Sequence, residues 1–141
     1  MTLEQAMARY PGARTFSFGD SPALIAELTG LVRKGVKRAT CTAVADIEAG
    51  REAAPEIGRR DIALGPYGAP ALVIETQELI ETTWAGMTEE MALAEGEDDS
   101  LESWRAGHRR YYTRQGIFAE DMQLIWERFT VIEDFEESGD V

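Results

Sequence analysis

A lysine and a threonine three residues apart are the strongest candidates for chemistry in this sequence. Lys37 and Thr40 lie in the stretch GVKRATCTAV, residues 35–44. A hydroxyl becomes a nucleophile only when a base removes its proton, and a partly desolvated lysine can act as that base. Because residues three apart in a strand face opposite ways, joint action requires Lys37 to lie in the turn before the strand. The alternative is that Lys37 is a solvated cation at a helix–strand junction and Thr40 is an ordinary strand residue.

A second group of candidates lies on a segment with helical spacing. Trp104, His108 and Tyr111 occupy positions i, i+4 and i+7 of this segment, so they share one helix face. One interpretation is core packing around a partly buried histidine whose hydrogen bonds are satisfied. The functional interpretation makes Arg105, His108 and Arg109 the polar edge of a ligand site.

The sequence offers no motif for a cofactor or a metal. It contains neither GxGxxG nor GxxxxGK[ST], and its one histidine cannot form a His-rich metal site. The acidic run EGEDDS, residues 95–100, lacks the spacing of an EF-hand loop, which favours a solvated loop over a weak hard-cation site. Cys41, the one cysteine, alternates with small alanines, which favours a small buried residue over a reactive thiol. We therefore expect no cofactor and no metal.

The net charge limits the partners. The 141-residue chain has 14 Lys and Arg against 26 Asp and Glu, a formal net charge of −12. Binding to duplex DNA needs a broad basic surface, so duplex DNA is not an expected partner. The cations nevertheless form two clusters that could serve a small anion or a short single strand: Arg33, Lys34, Lys37 and Arg38 in one, and Arg105, Arg109, Arg110 and Arg114 in the other.

Hydropathy and cysteine content predict a cytoplasmic protein. No segment approaches ~18 consecutive apolar residues, so no membrane span is expected. The first residues, MTLEQAMARY, lack the apolar region of a secretory signal. A single cysteine forms no intramolecular disulfide, which is consistent with a reducing compartment.

The chain length predicts one domain, and the elements that position the candidates are mixed. Cap and stop signals predict helices at 2–9, from Asp20 or Ser21 to Gly35, from Thr88 to Gly96, and from Ser100 to Gly116. Strands are predicted from Arg38 onwards, at 71–79 and at 122–135, with a polar loop at 49–61. Since helices and strands do not alternate as βαβ units, the pattern predicts an α+β fold with a mixed or antiparallel sheet, such as a small barrel.

Several sequence blocks between residues 16 and 135 resemble the ASCH domain family, in the family's order. They contain G-x-K-x-A-T at 35–40, A-x-x-E-G at 92–96 and S-L-x-x-W-R-x-x-H at 100–108, which are specific when taken together. The resemblance implies a PUA-like fold, a small β-barrel with flanking helices and a cleft, in a group associated with RNA or modified nucleosides. It divides the chain into an N-terminal helix and lead-in at 1–15, an ASCH domain at 16–135 and an acidic tail at 136–141.

The resemblance also implies roles for individual residues. ASCH amidohydrolases that remove the acetyl group from 4-acetylcytidine use a lysine, a threonine and a glutamate, which match Lys37, Thr40 and Glu95. In this hypothesis Thr40 attacks the acyl carbon, Lys37 accepts its proton, and Glu95 orients the lysine or the leaving group. The residues expected to bind substrate are Arg38, Trp104, Arg105, His108 and Arg109.

The chain departs from these amidohydrolases in length. The 49–61 loop and the 104–108 helix make it longer, and it looks closer to a longer ASCH branch, which carries Gly-Asp where this chain has EIGRRD. Three functions stay open: an amidohydrolase acting on an acylated nucleoside, a non-catalytic module that binds RNA or nucleotides as a translation-linked regulator, and a ribonuclease acting on single-stranded RNA. The expected partner is a small nucleoside-like ligand or short single-stranded RNA, and the oligomeric state is left open.

Overall fold

The computed structural model describes residues 1–136, in which helices and strands alternate irregularly. Five elements make up the first part: α1 (Leu3–Arg9), β1 (Arg14–Phe16), α2 (Pro22–Arg33), β2 (Ala39–Ala43) and α3 (Val44–Glu48). The second part contains β3 (Arg60–Leu64), β4 (Pro70–Thr83), α4 (Glu89–Ala94), α5 (Leu101–Arg114) and β5 (Gln123–Asp134).

The five strands form one mixed sheet in the order β1-β3-β4-β5-β2, curled into a half-barrel. β1 pairs with β3 in parallel, and the other three pairings are antiparallel. The long β4–β5 pairing carries two register shifts, which bend and twist the strands as β-bulges do. The predicted α+β class with a mixed sheet and flanking helices is confirmed.

Local sequence signals set the helix starts. The hydroxyls of Ser21, Thr88 and Ser100 each accept a hydrogen bond from a backbone N–H in the first turn, as predicted. Gly35 follows α2 with φ +76°, a left-handed conformation that favours glycine. Gly35 thus allows the chain to leave α2 and turn towards β2.

Three short elements differ from the sequence-based prediction. β1 and β3 were not predicted, and the polar loop predicted at 49–61 ends two residues early because Arg60 and Asp61 already belong to β3. α3 also escaped prediction, since it has five residues and no side-chain cap. Elements this short carry too few residues for a periodic pattern.

Three clusters of buried apolar residues hold the elements together. One joins β2 and β5 to α4 and α5 around three tryptophans, Trp84, Trp104 and Trp126. A second packs α2 on the sheet through Leu28, Val32, Leu72 and Phe129, and a third holds α1 through Ala6. Of the predicted acidic tail, residues 137–141 lie outside the described part of the chain. None of the helices within 1–136 is long and apolar enough to cross a membrane.

Candidate functional site

A cavity of about 1260 Å³ opens along β1, the start of α2, β2, the 50–59 segment and α5. Four aromatic side chains line it: Phe16, Phe18, Tyr111 and Tyr112. Its charged lining consists of eight acidic side chains (Asp20, Glu27, Asp46, Glu52, Asp61, Glu97, Asp98 and Glu127) and six basic ones (Arg14, Lys37, Arg51, Arg59, Arg110 and Arg114). The cavity is therefore polar and aromatic, without an excess of positive charge.

Lys37 lies in the turn before β2, where joint action with Thr40 requires it to be, and only 2% of it is exposed. Its Nζ donates to the carbonyl oxygens of Ala39 (2.8 Å) and Glu95 (3.2 Å) and to Oε2 of Glu97 (2.7 Å). Three acceptors use all three N–H groups of an ammonium ion. Lys37 is thus a buried, fully paired cation in the cavity wall.

Thr40 lies on β2 and also lines the cavity. Among residues 1–136 its hydroxyl has no hydrogen-bond partner. Glu127 on β5 is directly opposite Thr40 in the antiparallel register, so the two side chains project from the same face of the sheet. The hydroxyl is therefore available to a ligand in the cavity.

Glu127 is the second buried charged group that lines the cavity, with 7% of the residue exposed. Its Oε2 accepts a hydrogen bond from the Thr76 hydroxyl, and its other oxygen has no partner in the described part of the chain. Burial raises the pKa of this carboxyl, and the nearby Asp61 carboxylate raises it further. The hydrogen bond from Thr76 and the positive charge of Arg59 act in the opposite direction. Glu127 is therefore less readily ionised than a surface glutamate.

Asp61 on β3 is also a buried carboxylate, but it differs from Glu127 in its hydrogen bonds. Arg59 donates to its Oδ2 from Nε (3.1 Å) and from an Nη atom (2.9 Å). The backbone N–H of Arg14 reaches Oδ1 at 3.4 Å. Both oxygens of Asp61 are thus engaged by the protein, and the ion pair ties the 50–59 segment to the sheet.

Glu95 lies behind the cavity wall, with 1% of the residue exposed, and does not line the cavity. Burial raises the pKa of its carboxyl to about 8, and nearby Lys37 opposes the rise. The Trp104 indole N–H is near enough to favour the ionised form, but it makes no hydrogen bond of normal geometry with the carboxyl. At neutral pH Glu95 is consequently a protonated, neutral acid.

His108 connects Glu95 to the cavity. Its Nδ1 lies 2.9 Å from the Trp104 carbonyl oxygen and therefore carries the proton, because a carbonyl only accepts. Its Nε2 faces Oε1 of Glu95 at 3.8 Å, and its ring stacks on Trp104 with 4.0 Å between centroids. Burial lowers the pKa of His108, which favours the neutral ring. His108 lines the cavity, whereas Trp104 is fully buried behind it.

The three arginines expected to bind substrate do not line the cavity. Arg38 is exposed, Arg105 donates to the backbone oxygens of Ala85 and Met87, and Arg109 stacks over Phe118 with 4.8 Å to the ring centroid. The other two arginines of the same helix, at 110 and 114, are the ones that line it.

Cys41 is half-buried and contacts both the cavity and the apolar cluster under α5. Burial raises the pKa of its thiol well above the ordinary value, Glu95 adds to the rise, and Lys37 and the Tyr112 hydroxyl oppose it. This environment is that of a small packed residue, not of an activated thiol.

The acidic run after α4 is only partly a solvated loop. Glu97 pairs with Lys37, and Asp98 accepts a hydrogen bond from the Ser103 hydroxyl at 2.8 Å. Within residues 1–136 no group of three or more His, Cys, Asp or Glu residues could hold a metal ion.

Sequence reasoning missed Glu127, Glu97 and Tyr112. Glu127 did leave a signal, since it alternates with Ile125 and Phe129 on one face of β5, and a carboxylate among apolar alternating positions is costly to bury without a purpose. Tyr112 directly follows Tyr111, which lies on the helix face singled out from the sequence. Because consecutive helix residues point in different directions, that face did not include Tyr112.

Comparison with known proteins identifies the family and agrees with the fold. The profile of the ASCH domain matches residues 14–133. The crystal structure of an ASCH domain from Lactobacillus crispatus JV V101 is 28% identical, with a TM-score of 0.78 over 90% of this chain and 84% of that one. Protein EF3133 from Enterococcus faecalis V583 is 25% identical, with a TM-score of 0.79 over 98% of this chain and 94% of that one. A search of curated proteins gave no match. The chain belongs to the ASCH domain family, which is proposed to bind RNA.

Proposed function

We propose that the cavity binds a neutral nucleoside-like ligand. The observation that carries the proposal is the lining itself, in which eight acidic and six basic side chains surround four aromatic ones. A nucleoside presents flat ring faces, which pack on aromatic side chains, and N–H and O–H donors, which carboxylates accept. A volume of about 1260 Å³ is ample for one nucleoside.

The charge of the cavity and of the chain favours a nucleoside over a longer RNA. Contacts to a nucleic-acid backbone are made chiefly by cations, and here acids outnumber cations both in the cavity and in the whole chain. The exposed Arg110 and Arg114 at the α5 side of the cavity could contact one phosphate of a single strand whose base enters the cavity. We therefore expect any RNA that binds to place the base of one nucleotide in the cavity.

A thermal-shift experiment with the four ribonucleosides and with 4-acetylcytidine tests the proposal. A ligand that binds only the native state stabilises it by RT ln(1 + L/Kd), where L is the free ligand concentration, and so raises the melting temperature. We expect at least one nucleoside to raise it. The absence of any shift at ligand concentrations of about 10 mM would mean that Kd exceeds about 10 mM. Binding that weak is not specific recognition of a nucleoside and would refute the proposal.

Acyl hydrolysis is a second candidate, favoured by the Thr40 hydroxyl, which faces the cavity and has no partner among residues 1–136. Lys37 cannot take the Thr40 proton while its ammonium group donates to three acceptors. A Thr40 nucleophile would therefore require Lys37 to release one of these bonds first. The proton of the leaving amine would have to come from a group other than Glu95, because Glu95 does not line the cavity and the two ring nitrogens of His108 face Glu95 and the Trp104 carbonyl.

Chromatography of 4-acetylcytidine incubated with the protein tests this candidate. Release of cytidine that Thr40→Val abolishes and Thr113→Val preserves would support it, because Thr113 is exposed on α5 and does not line the cavity. Equal release by the Thr40→Val variant would rule out Thr40 as the nucleophile. The cytoplasmic location expected from the sequence stays a prediction.

A further inference from the structure

Two buried carboxylates that line the cavity differ in how the protein satisfies them. Asp61 accepts hydrogen bonds on both oxygens, from Arg59 and from the Arg14 backbone. Glu127 accepts one, from Thr76, and its other oxygen meets no donor from residues 1–136 although only 7% of the residue is exposed. A carboxylate with a purely structural role resembles Asp61, whereas Glu127 keeps one acceptor open.

The open acceptor belongs to a residue of the cavity wall. Glu127 lines the cavity, and Thr40, directly opposite in the register, places an unpartnered hydroxyl on the same face. Glu127 is not among the described residues whose unpartnered side-chain oxygen is fully enclosed, so solvent reaches this acceptor before a ligand binds. A ligand that displaces the solvent must supply a donor in its place, because a ligand without one leaves a buried acceptor unpaired at a cost of about 1–3 kcal/mol.

We propose that Glu127 determines ligand specificity by accepting a hydrogen bond from an amino group on the ligand's heterocycle. The inference rests on the proposed nucleoside binding and names the class within it, namely bases that carry an exocyclic amino group. The flat ring of such a ligand fits the aromatic wall of the cavity, where Phe16 and Phe18 pack edge to face with 4.8 Å between centroids. Thr40 can accept or donate beside the amino group, since a hydroxyl does both.

Other occupants of the open acceptor fit less well. A metal ion would need further ligands, and no group of three His, Cys, Asp or Glu residues within 1–136 could hold one. A strongly anionic ligand would place its charge beside Glu127 and Asp61. An amino-bearing neutral base satisfies the acceptor without adding charge.

The test compares ligands that differ by one amino group. Cytidine is paired with pyrimidin-2-one riboside, and adenosine with purine riboside, and Kd is measured by calorimetry on the full-length protein. We expect the amino-bearing member to bind at least about tenfold more tightly, which is the discrimination that one satisfied buried acceptor provides. In Glu127→Leu the ratio should fall to about one, because no acceptor remains to be satisfied.

A second variant covers the case in which Glu127→Leu does not fold. Glu127→Gln is nearly isosteric, and its amide can turn either an oxygen or a nitrogen to the cavity, so the ratio should fall at least about threefold. Glu81→Gln, an exposed glutamate on β4, is the matched control and should leave the ratio unchanged. A purely structural role for Glu127 would weaken both members of a pair equally and would leave the ratio intact.

The outcomes separate this inference from the proposed function. If nucleosides bind but the wild-type ratio is near one, or if the ratio survives in the Glu127 variants, the inference is wrong and nucleoside binding stands. If no nucleoside binds, the proposed function fails and the inference fails with it.

Discussion

At the residue scale, Glu95 makes stability depend on pH. Its folded pKa of about 8 is above the ordinary value of 4.5, so the unfolded chain loses this proton at lower pH than the native protein does. The contribution of Glu95 to stability is therefore fully present below pH 4.5 and is lost as the pH rises to about 8, by about 3–5 kcal/mol. Glu95→Gln mimics the protonated acid and should remove this part of the loss. Urea unfolding of the unmodified protein and of Glu95→Gln at pH 5 and pH 8 tests this prediction. Equal losses in the free energy of unfolding between the two pH values would contradict it.

Lys37 makes three hydrogen bonds in the cavity wall, so we expect it to stabilise the fold. Lys37→Met removes the donor to two carbonyl oxygens and leaves the Glu97 carboxylate without its partner. We expect the free energy of unfolding to fall by about 3–5 kcal/mol, as when one partner of a buried ion pair is removed. Lys34→Met, at an exposed position one turn earlier, should change it by at most about 0.5 kcal/mol. Urea titrations of the two variants provide the comparison, and a loss below about 1 kcal/mol in Lys37→Met would contradict it.

At the element scale, Gly96 allows the loop after α4 to contact the turn before β2. A Cβ added at Gly96 would lie 2.5 Å from the Val36 carbonyl oxygen and 2.7 Å from the Lys37 backbone nitrogen, and φ there is +76°. Gly96→Ala should therefore destabilise the fold by more than the ~1–2 kcal/mol cost of a left-handed alanine. Gly116→Ala is the matched control, since its φ is +75° with no atom within 4 Å of the added Cβ.

Urea unfolding of the two glycine variants distinguishes crowding from backbone conformation. Both variants bear the conformational cost, so the excess loss in Gly96→Ala measures the contact with the turn. Equal losses would mean that this contact is dispensable. Because the same turn carries Lys37, we also expect Gly96→Ala to weaken ligand binding and Gly116→Ala to leave it unchanged.

Signals within a few residues of one another were sufficient to predict the caps of α2, α4 and α5 and the position of Lys37 in the turn before β2. The alternation along β5 marks Glu127 as a buried carboxylate, but its position beside Thr40 could not be found in this way. It lies opposite Thr40 only because β5 pairs with β2, a contact between segments far apart in the sequence. Arg105 and Arg109 were expected at the ligand as the polar edge of the helix that carries His108, but the phase of α5 places its residues 107, 108, 110, 111, 112 and 114 at the cavity instead.

At the scale of the whole molecule, the net charge of −12 and the acidic balance of the cavity bear on the choice of ligand. Adding a 5′-phosphate to a nucleoside introduces a negative charge that both the chain and the cavity lining repel. We expect a nucleoside to raise the melting temperature more than its 5′-monophosphate does at about 20 mM salt. The difference should narrow at about 500 mM salt, where the Debye length falls below about 5 Å, and the shift by the neutral nucleoside should hardly change. Thermal-shift titrations of one nucleoside and its monophosphate at both salt concentrations measure this. A larger shift by the monophosphate at low salt would instead indicate that Arg110 and Arg114 bind a phosphate strongly enough to outweigh the charge of the whole protein.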